Sequence, residues 1–342
     1  MNNDGQNIPG TRYPAIEFEH VSKRFAAASV AAVDDVSLQV PQGHLVVLLG
    51  PSGCGKTTLL KMVNRLYEHD AGRILVEGRE ARSFKVTELR RHIGYVIQST
   101  GLFPHMNVAR NIGTVPAMLG WDKARIRGRV DELLDLVGLP PDEYRDRYPA
   151  QLSGGQQQRV GLARAMAGDP SIMLMDEPFA AIDNITRRRL QDELLAIQRK
   201  VRKTILFVTH DVEEAIRLAD EIVVMREGKV VQYDTPLNIL SSPSDDFVAK
   251  LIGSEDVLRR LSLLTVGQAM MPVTGGGASA NGAMSVKPGD SLREALGAIL
   301  SGGGDILPVV DERGRALGTI TLDAIREEVK GRGAVTSRST LA

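Results

Sequence analysis

The sequence predicts an α/β fold built on a mainly parallel sheet, followed by a small α+β domain. Short apolar segments alternate with helical segments from Ile16 to about Ile252, and this alternation favours a parallel sheet with helices on its faces. A length of 342 residues exceeds one ordinary domain and suits a large domain with a smaller one behind it.

The strands of the first domain fall into two kinds. Residues 16–21 and 36–40 alternate apolar and polar side chains, which is typical of half-exposed antiparallel strands. Later apolar segments are continuous, as in strands that are buried on both faces. These buried strands are predicted at 46–49, 172–175, 205–209 and 222–225, with helices at 123–137 and 187–199 between them. An antiparallel N-terminal subdomain is therefore expected beside the parallel sheet.

Composition argues against several classes of protein. The chain has 42 lysines and arginines and 42 acidic residues, and this balanced charge argues against a nucleic-acid partner. A single cysteine, Cys54, excludes an intramolecular disulfide and fits a reducing compartment. The apolar segments are strand-sized, well short of the roughly 20 residues that a membrane-spanning helix needs. The chain itself is therefore not expected to enter a membrane.

A phosphate-binding loop is predicted between the strand at 46–49 and the helix after it. Residues 50–57 have the pattern G-x-x-x-x-G-K-[ST], which cradles nucleotide phosphates with backbone N–H groups. Lys56 is expected to reach the terminal phosphates and the Thr57 hydroxyl to bind Mg²⁺. The alternative is a glycine-rich turn that contains a lysine by chance, and the strand–loop–helix context argues against it. The residues expected to contact ATP here are Gly50, Pro51, Ser52, Gly53, Cys54, Gly55, Lys56, Thr57 and Thr58.

Two acidic residues, Asp176 and Glu177, follow the buried strand at 172–175. Buried carboxylates are costly unless they meet a cation. Asp176 is therefore expected near the Mg²⁺ ion, and Glu177 is expected to polarise an attacking water. A strand that simply ends in surface acids is the alternative, and the phosphate-binding loop in the same chain makes it less favoured.

A third motif, the sequence LSGGQQQR at 152–159, has a serine and two glycines where a helix is expected to begin. It resembles the signature sequence of the ABC ATPase family, and the resemblance covers about residues 15–260. It implies that this helix start faces the γ-phosphate held by the second subunit of a homodimer. The signature residues are Ser153, Gly154, Gly155 and Gln156. The resemblance also implies a helical subdomain that contains the signature and extends from about Gln98 to Arg164.

The resemblance implies roles for four further residues. In the family, the position of Phe25 stacks on adenine, although a core phenylalanine is a serious alternative for this residue. Gln98 corresponds to a glutamine that contacts Mg²⁺ and water, and Asp183 to an aspartate that communicates across the dimer. His210 corresponds to a histidine that contacts the γ-phosphate. Glu177, His210 and Gln98 are thus the expected catalytic residues, and Thr57, Gln98 and Asp176 the expected metal ligands.

Residues 95–98, 101–106, 111–112 and 114–116 narrow the resemblance to the ATPases of osmoprotectant uptake systems, which import quaternary amines such as glycine betaine, carnitine and choline. This implies an ATP-hydrolysing subunit, peripheral to the cytoplasmic face of the inner membrane. The implied partners are integral membrane permease subunits and, indirectly, an extracytoplasmic solute-binding protein. An importer of another small solute remains open, as does a soluble ABC ATPase without a transport role.

The expected domains are an ATPase at 15–252, a linker at 253–264, a small domain at 265–330 and a disordered tail at 331–342. The small domain resembles a single CBS repeat, which implies a regulatory or dimerisation role. Ala324 stands where nucleotide-binding repeats usually have aspartate, which puts adenosine-nucleotide binding in doubt. One repeat is expected to leave an apolar face for a second copy to bury, formed by Val286, Leu292, Leu296, Ile299, Val309 and Ile320.

Overall fold

A computed structural model of the chain describes residues 13–26, 29–97, 101–180, 182–253, 256–272, 284–302 and 305–330. The chain divides into two compact units between Tyr233 and Asp234. The expected tail at 331–342 lies outside the described residues.

The first unit contains ten strands and eight α-helices within the described residues. In chain order they are β1 (Ile16–Lys23), β2 (Val33–Val40), β3 (Leu45–Leu49), α1 (Lys56–Val63), β4 (Ala71–Val76), β5 (Arg79–Glu80), α2 (Val86–His92), β6 (Ile93–Val96), α3 (Val108–Met118), α4 (Lys123–Leu136), α5 (Pro141–Tyr144), α6 (Gly154–Met166), β7 (Ile172–Asp176), α7 (Asn184–Val201), β8 (Thr204–Thr209), α8 (Val212–Leu218), β9 (Glu221–Arg226) and β10 (Lys229–Asp234), the last of which crosses the boundary by one residue.

A six-stranded sheet in the order β10-β9-β3-β8-β7-β6 forms the centre of this unit. The four pairings from β9 to β6 are all parallel, which confirms the predicted parallel sheet. All five residues of β3 are buried, as expected for an uninterrupted apolar segment in a central strand. Because β3, β8 and β7 are parallel neighbours, the loops after them leave the sheet at one edge.

The N-terminal subdomain is a four-stranded sheet in the order β2-β1-β4-β5, with antiparallel pairing throughout. The alternating pattern of its strands predicted this arrangement. Helix α1 contributes Leu59, Leu60, Met62 and Val63 to a core that also contains residues of both sheets. Each large apolar side chain buried in this way stabilises the fold by about 1.5–3 kcal/mol, so α1 is firmly held beneath the loop that precedes it.

A helical subdomain lies between β6 and β7 in the sequence, in agreement with the resemblance. Helix α3 packs against α4 and α6. Asn111 on α3 is fully buried, and its amide group donates to the carbonyl oxygens of Phe103, Met106 and Asn107 at 3.0–3.1 Å. This side chain fixes the backbone of residues 103–107, which lead into α3.

The second unit contains α9 (Pro236–Ser241), α10 (Asp246–Ile252), α11 (Val257–Leu263), α12 (Val266–Ala269), β11 (Met271–Pro272), α13 (Leu292–Gly302), β12 (Ile306–Val310), β13 (Ala316–Thr321) and α14 (Leu322–Lys330). Helix α9 packs against α10 and α11. Both α9 and α10 therefore belong to this unit, which begins before the boundary predicted after residue 252. The three strands form an antiparallel sheet in the order β11-β13-β12.

The expectation that the small domain leaves its apolar face for a second copy is wrong. Val286, Leu292, Ile299, Val309 and Ile320 are buried within the chain, and Leu296 packs against them. Helix α11 and the residues after it supply the missing cover through Leu261, Leu264 and Val266. Leu261 and Leu264, in the segment expected to be a linker, are thus part of the core of the small domain.

In the described part of the chain, no helix is both long enough and apolar enough to cross a membrane.

Candidate functional site

The loop between β3 and α1 has a backbone that only glycine can adopt at two positions. Gly50 has a φ of +155°, and a Cβ there would lie 2.3 Å from the backbone oxygen of Met225. Gly55 has a φ of +103°, and a Cβ there would lie 2.1 Å from the backbone oxygen of Ala32. Because both obstacles are backbone atoms, a larger residue would distort the loop. Pro51, Ser52 and Gly53 are exposed, so the outer side of the loop is accessible.

Lys56 carries a buried positive charge inside this loop. Its side chain is only 4% exposed, and its ammonium donates to the carbonyl oxygens of Gly50 at 2.7 Å and Pro51 at 2.9 Å. The thiol sulfur of Cys54 lies 3.7 Å away. These acceptors are all neutral, so the lysine keeps a charge that an anion can neutralise. The start of α1, where Thr57 and Thr58 lie, has no side-chain cap, and it adds the backbone N–H groups of a first helical turn and the positive end of the helix dipole.

Thr57 and Asp176 join the loop to the end of β7. The Thr57 hydroxyl donates to Asp176 Oδ1 at 2.8 Å, and the aspartate is 7% exposed. Lys61 Nζ lies 3.6 Å from Asp176 Oδ2. Near this group, the Tyr95 hydroxyl is buried without a hydrogen-bond partner among the described residues. Burial, and then the charge of Asp176, raise the pKa of Tyr95, so its hydroxyl stays protonated.

Glu177 has a left-handed backbone, with a φ of +45°. For a non-glycine residue this conformation costs about 1–3 kcal/mol and is typically retained at functional sites. Its N–H donates to the Val208 carbonyl on the neighbouring strand at 3.0 Å. Its Oε2 lies 3.1 Å from His210 Nδ1, just after the end of β8. A carboxylate and an imidazole are thus paired at the same sheet edge as Asp176, where they could hold and orient a water.

Phe25 lies on the surface, 37% exposed, so the alternative of a core phenylalanine is wrong. Its ring packs edge-on against Tyr67 with a centroid separation of 5.2 Å, and the Lys23 ammonium lies 5.6 Å from its centroid. An exposed ring held by a neighbour can offer its face to a planar ligand.

The start of α6 is exposed and poor in side chains. Ser153 Oγ accepts from the Gln156 N–H at 3.3 Å, and Gln156 Oε1 accepts from the Ser153 N–H at 2.9 Å, which forms a capping box. Gln156 also donates to the Tyr144 hydroxyl at 3.0 Å. A Cβ at Gly154 would meet no atom within 4 Å, whereas one at Gly155 would lie 3.1 Å from Thr186 Cγ2. Gly155 is therefore explained by close packing within the chain, but Gly154 is not.

Asp183 caps the start of α7, where its side chain accepts from the Thr186 N–H at 3.1 Å. The hydrogen bonds from Thr186 hold the pKa of Asp183 below its ordinary value, so it is ionised at neutral pH. Gln98, the remaining predicted residue, lies outside the described residues.

The structure thus brings together Lys56, Thr57, Asp176, Glu177 and His210 at one sheet edge. The hydrogen bonds that Ser153 and Gln156 make in the described part of the chain stay within the helical subdomain. Sequence reasoning missed Lys61 and Tyr95. Lys61 was within reach, because it lies four residues after Thr57 and hence on the same face of α1.

These features define a nucleoside-triphosphatase site with a phosphate-binding loop. The sequence profile of the ABC transporter family matches residues 33–180. The glycine betaine uptake system ATP-binding protein YehX of Escherichia coli (strain K12) is 49% identical over 306 residues, 89% of this chain and 97% of that protein. The osmoprotectant import ATP-binding protein OsmV of Salmonella typhimurium is 43% identical over 89% of this chain and 78% of that protein.

A solved structure agrees with this comparison. The ATP-binding cassette MJ0796, in a dimeric post-hydrolysis state bound to ADP and Pi, is 29% identical with a TM-score of 0.58, over 65% of this chain and 98% of that one. The chain belongs to the ABC transporter family, and within it to the ATP-binding proteins.

Proposed function

We propose that the chain is the ATP-hydrolysing subunit of an importer for quaternary-amine osmoprotectants such as glycine betaine, carnitine or choline. The residues at the carboxyl ends of β3, β7 and β8 give the strongest support for ATP hydrolysis. Lys56 neutralises charge on the terminal phosphates, and Glu177 orients the attacking water with His210 3.1 Å away. Phosphoryl transfer needs mainly positioning and charge stabilisation, which these groups supply.

Mg²⁺ fits the oxygen atoms of this group. The Thr57 hydroxyl and the Asp176 carboxylate already lie 2.8 Å apart, and Mg²⁺ prefers such oxygen ligands. Thr57 and Asp176 would hold the ion together with the phosphates, and Gln98 is proposed as a further contact. When bound, the ion neutralises charge that develops on the phosphates. Phe25 is proposed to stack on adenine, since its ring is exposed and supported by Tyr67.

A homodimer would complete the site. Gly154 faces open space, and the helix it begins could present backbone N–H groups to a phosphate bound by a second copy. Ser153, Gly155, Gln156 and Asp183 would contribute to the same interface. The dimeric cassette to which this chain is similar supports the proposal.

The solute class rests on how far the similarity extends. The match to the glycine betaine uptake protein spans 306 residues, more than the 233 of the first unit, so it continues into the second. An importer would place the chain at the cytoplasmic face of the inner membrane, with permease subunits and, indirectly, an extracytoplasmic solute-binding protein. Cells that lack the gene should lose uptake of labelled glycine betaine. Wild-type chain should restore it and Glu177→Gln should not; retained uptake in the deletion strain would contradict the proposal.

We propose that the permease docks in a groove between α3 and α4. It has a volume of about 670 Å³, with Met118, Ile126 and Val130 among its apolar residues and Arg110, Lys123 and Arg127 among its basic ones. A short helix with an apolar face and acidic flanks would complement it. Met118→Asp should therefore abolish copurification with the permease, whereas Met284→Asp, at a similarly exposed methionine, should not. Equal copurification would argue against the groove.

We also propose that residues 265–330 form a single CBS-like unit with a regulatory or dimerisation role. The order of the elements supports this proposal. Val286 forms a β-bridge with Val309 of β12, and it is followed in the chain by α13, β12, β13 and α14, which gives a β-α-β-β-α order. The Thr321 hydroxyl accepts from the Ala324 N–H at 3.1 Å, so it already serves the start of α14. This favours a role other than adenosine-nucleotide binding. In calorimetric titrations with AMP, the wild-type chain and Thr321→Ala should therefore give the same result.

A further inference from the structure

Arg187 connects the two loops that precede α7 and α8. Its Nη2 donates to the Ile182 carbonyl oxygen at 3.0 Å, immediately before Asp183. Its Nη1 lies 3.3 Å from Asp211 Oδ2, immediately after His210. One guanidinium group therefore bonds both to the backbone next to Asp183, the predicted interface aspartate, and to the side chain next to His210.

Asp211 also hydrogen-bonds to residues on both sides of itself, close to His210. Its Oδ1 accepts from the N–H groups of Glu213 at 2.9 Å and Glu214 at 3.2 Å, which caps α8. Its own N–H donates to the Thr209 hydroxyl at 3.0 Å. The residues on both sides of His210 are thus fixed, and Arg187 holds this fixed turn.

A second link lies one helical turn further along α7. Gln191 Nε2 donates to Glu214 Oε1 at 3.0 Å, and these two side chains are only 4% and 5% exposed. Two links between the same pair of helices resist rotation as well as separation. The first turns of α7 and α8 are therefore expected to move as one body.

We propose that Arg187 is a positioning residue that couples the segment of Asp183 to His210, so that contact of a second subunit with Asp183 adjusts the hydrolytic histidine. The inference rests on the proposed ATPase function. Arginine suits this role because its rigid fork binds two acceptors at once, which lysine cannot do in the same geometry. Arg187 acts through His210 and needs no contact with the nucleotide.

Four variants test the coupling. Arg187→Gln should lower kcat by about tenfold or more, because small displacements of reacting groups can cost up to about 100-fold. Its affinity for ATP and its KM should stay close to those of Arg188→Gln, the matched control at an exposed arginine next to it. Arg187→Lys should recover part of the lost rate. Asp211→Asn keeps the helix cap but loses the charge pair, and it should lower kcat to a similar extent.

The combined variant Arg187→Gln/Asp211→Asn decides between coupling and two separate effects. Since both changes remove the same link, the kcat of the combined variant should be no lower than the lower of the two single-variant kcat values. A loss equal to the product of both single losses would overturn the coupling, as would an Arg187→Gln rate equal to that of Arg188→Gln. Wild-type hydrolysis that Glu177→Gln leaves unchanged would instead overturn the proposed function, and the coupling with it.

Discussion

Gly154 offers a test that separates stability from function. It is the first residue of α6, it is exposed, and a Cβ added to it would meet no atom of the chain within 4 Å. Alanine therefore fits the folded chain. Replacing a helical glycine by alanine stabilises by up to about 0.5–1 kcal/mol, so Gly154→Ala should raise the free energy of unfolding slightly.

The same change should damage hydrolysis. If a second copy presents its bound phosphate to this helix start, the added methyl group lies where the phosphate oxygens must approach the N–H groups. A displacement of about 1 Å can lower a rate by roughly 100-fold, so a loss of at least about tenfold in ATPase activity is expected. Nucleotide binding to the separate chain should not change, because Lys56 and Thr57 remain intact.

Three measurements check this, each against Gly128→Ala. Gly128 is an exposed glycine within α4 whose added Cβ also meets nothing within 4 Å. Urea unfolding should show a gain for both variants, and steady-state ATPase assays should show a loss for Gly154→Ala alone. In a Glu177→Gln background, gel filtration with ATP should show a dimer that Gly154→Ala weakens. If Gly154→Ala hydrolyses ATP as fast as Gly128→Ala, the helix start does not face a phosphate and the proposed composite site is refuted.

Three further changes probe single groups. Glu177→Gln removes the proposed base and should lower turnover by at least about 100-fold while an ATP-bound dimer accumulates; activity within a few-fold of wild type would exclude Glu177 as the base. Lys56→Ala should weaken binding of a non-hydrolysable ATP analogue at least about tenfold by calorimetry, because a charged hydrogen bond contributes about 1.5–3 kcal/mol; unchanged affinity would argue against the loop. Burial raises the pKa of Glu214 above its ordinary 4.5, so the folded chain binds the carboxyl proton more tightly than the unfolded chain. The wild-type chain therefore loses stability as the pH rises from the ordinary pKa through the raised one. Glu214→Gln should therefore gain unfolding free energy relative to wild type as pH rises from below 4.5 to neutral, and a constant difference in urea unfolding would contradict this.

The sheet and the phosphate-binding loop could be predicted because their signals are local. Continuous apolar segments identified β3 and β7, and the residues after them are the ones proposed to act on ATP. Contacts between distant segments could not be predicted in this way. Arg187 appears as one of three successive arginines, and only the packing of α7 beside α8 distinguishes it from Arg188.

The small domain shows the opposite error. Its apolar residues were identified correctly, but the cover for them was assigned to a second copy. Leu261 and Leu264 lie in a segment too short for a clear helical pattern, so their part in the core emerges only from the folded chain. The contact of Phe25 with Tyr67 likewise could not be predicted, because the two residues lie far apart in the sequence.

Cys54 is the chain's single cysteine, and it lies inside the phosphate-binding loop within 3.7 Å of the Lys56 ammonium. Any thiol-directed dye, spin label or cross-linker will therefore act in the nucleotide site or nowhere. Because the side chain is only 3% exposed, its rate of labelling measures how often the loop opens. For labels at other positions, Cys54 must first be replaced by a residue of similar size such as serine or alanine. The native chain thus contains a single attachment site for a spectroscopic label, at the place where ATP is proposed to bind.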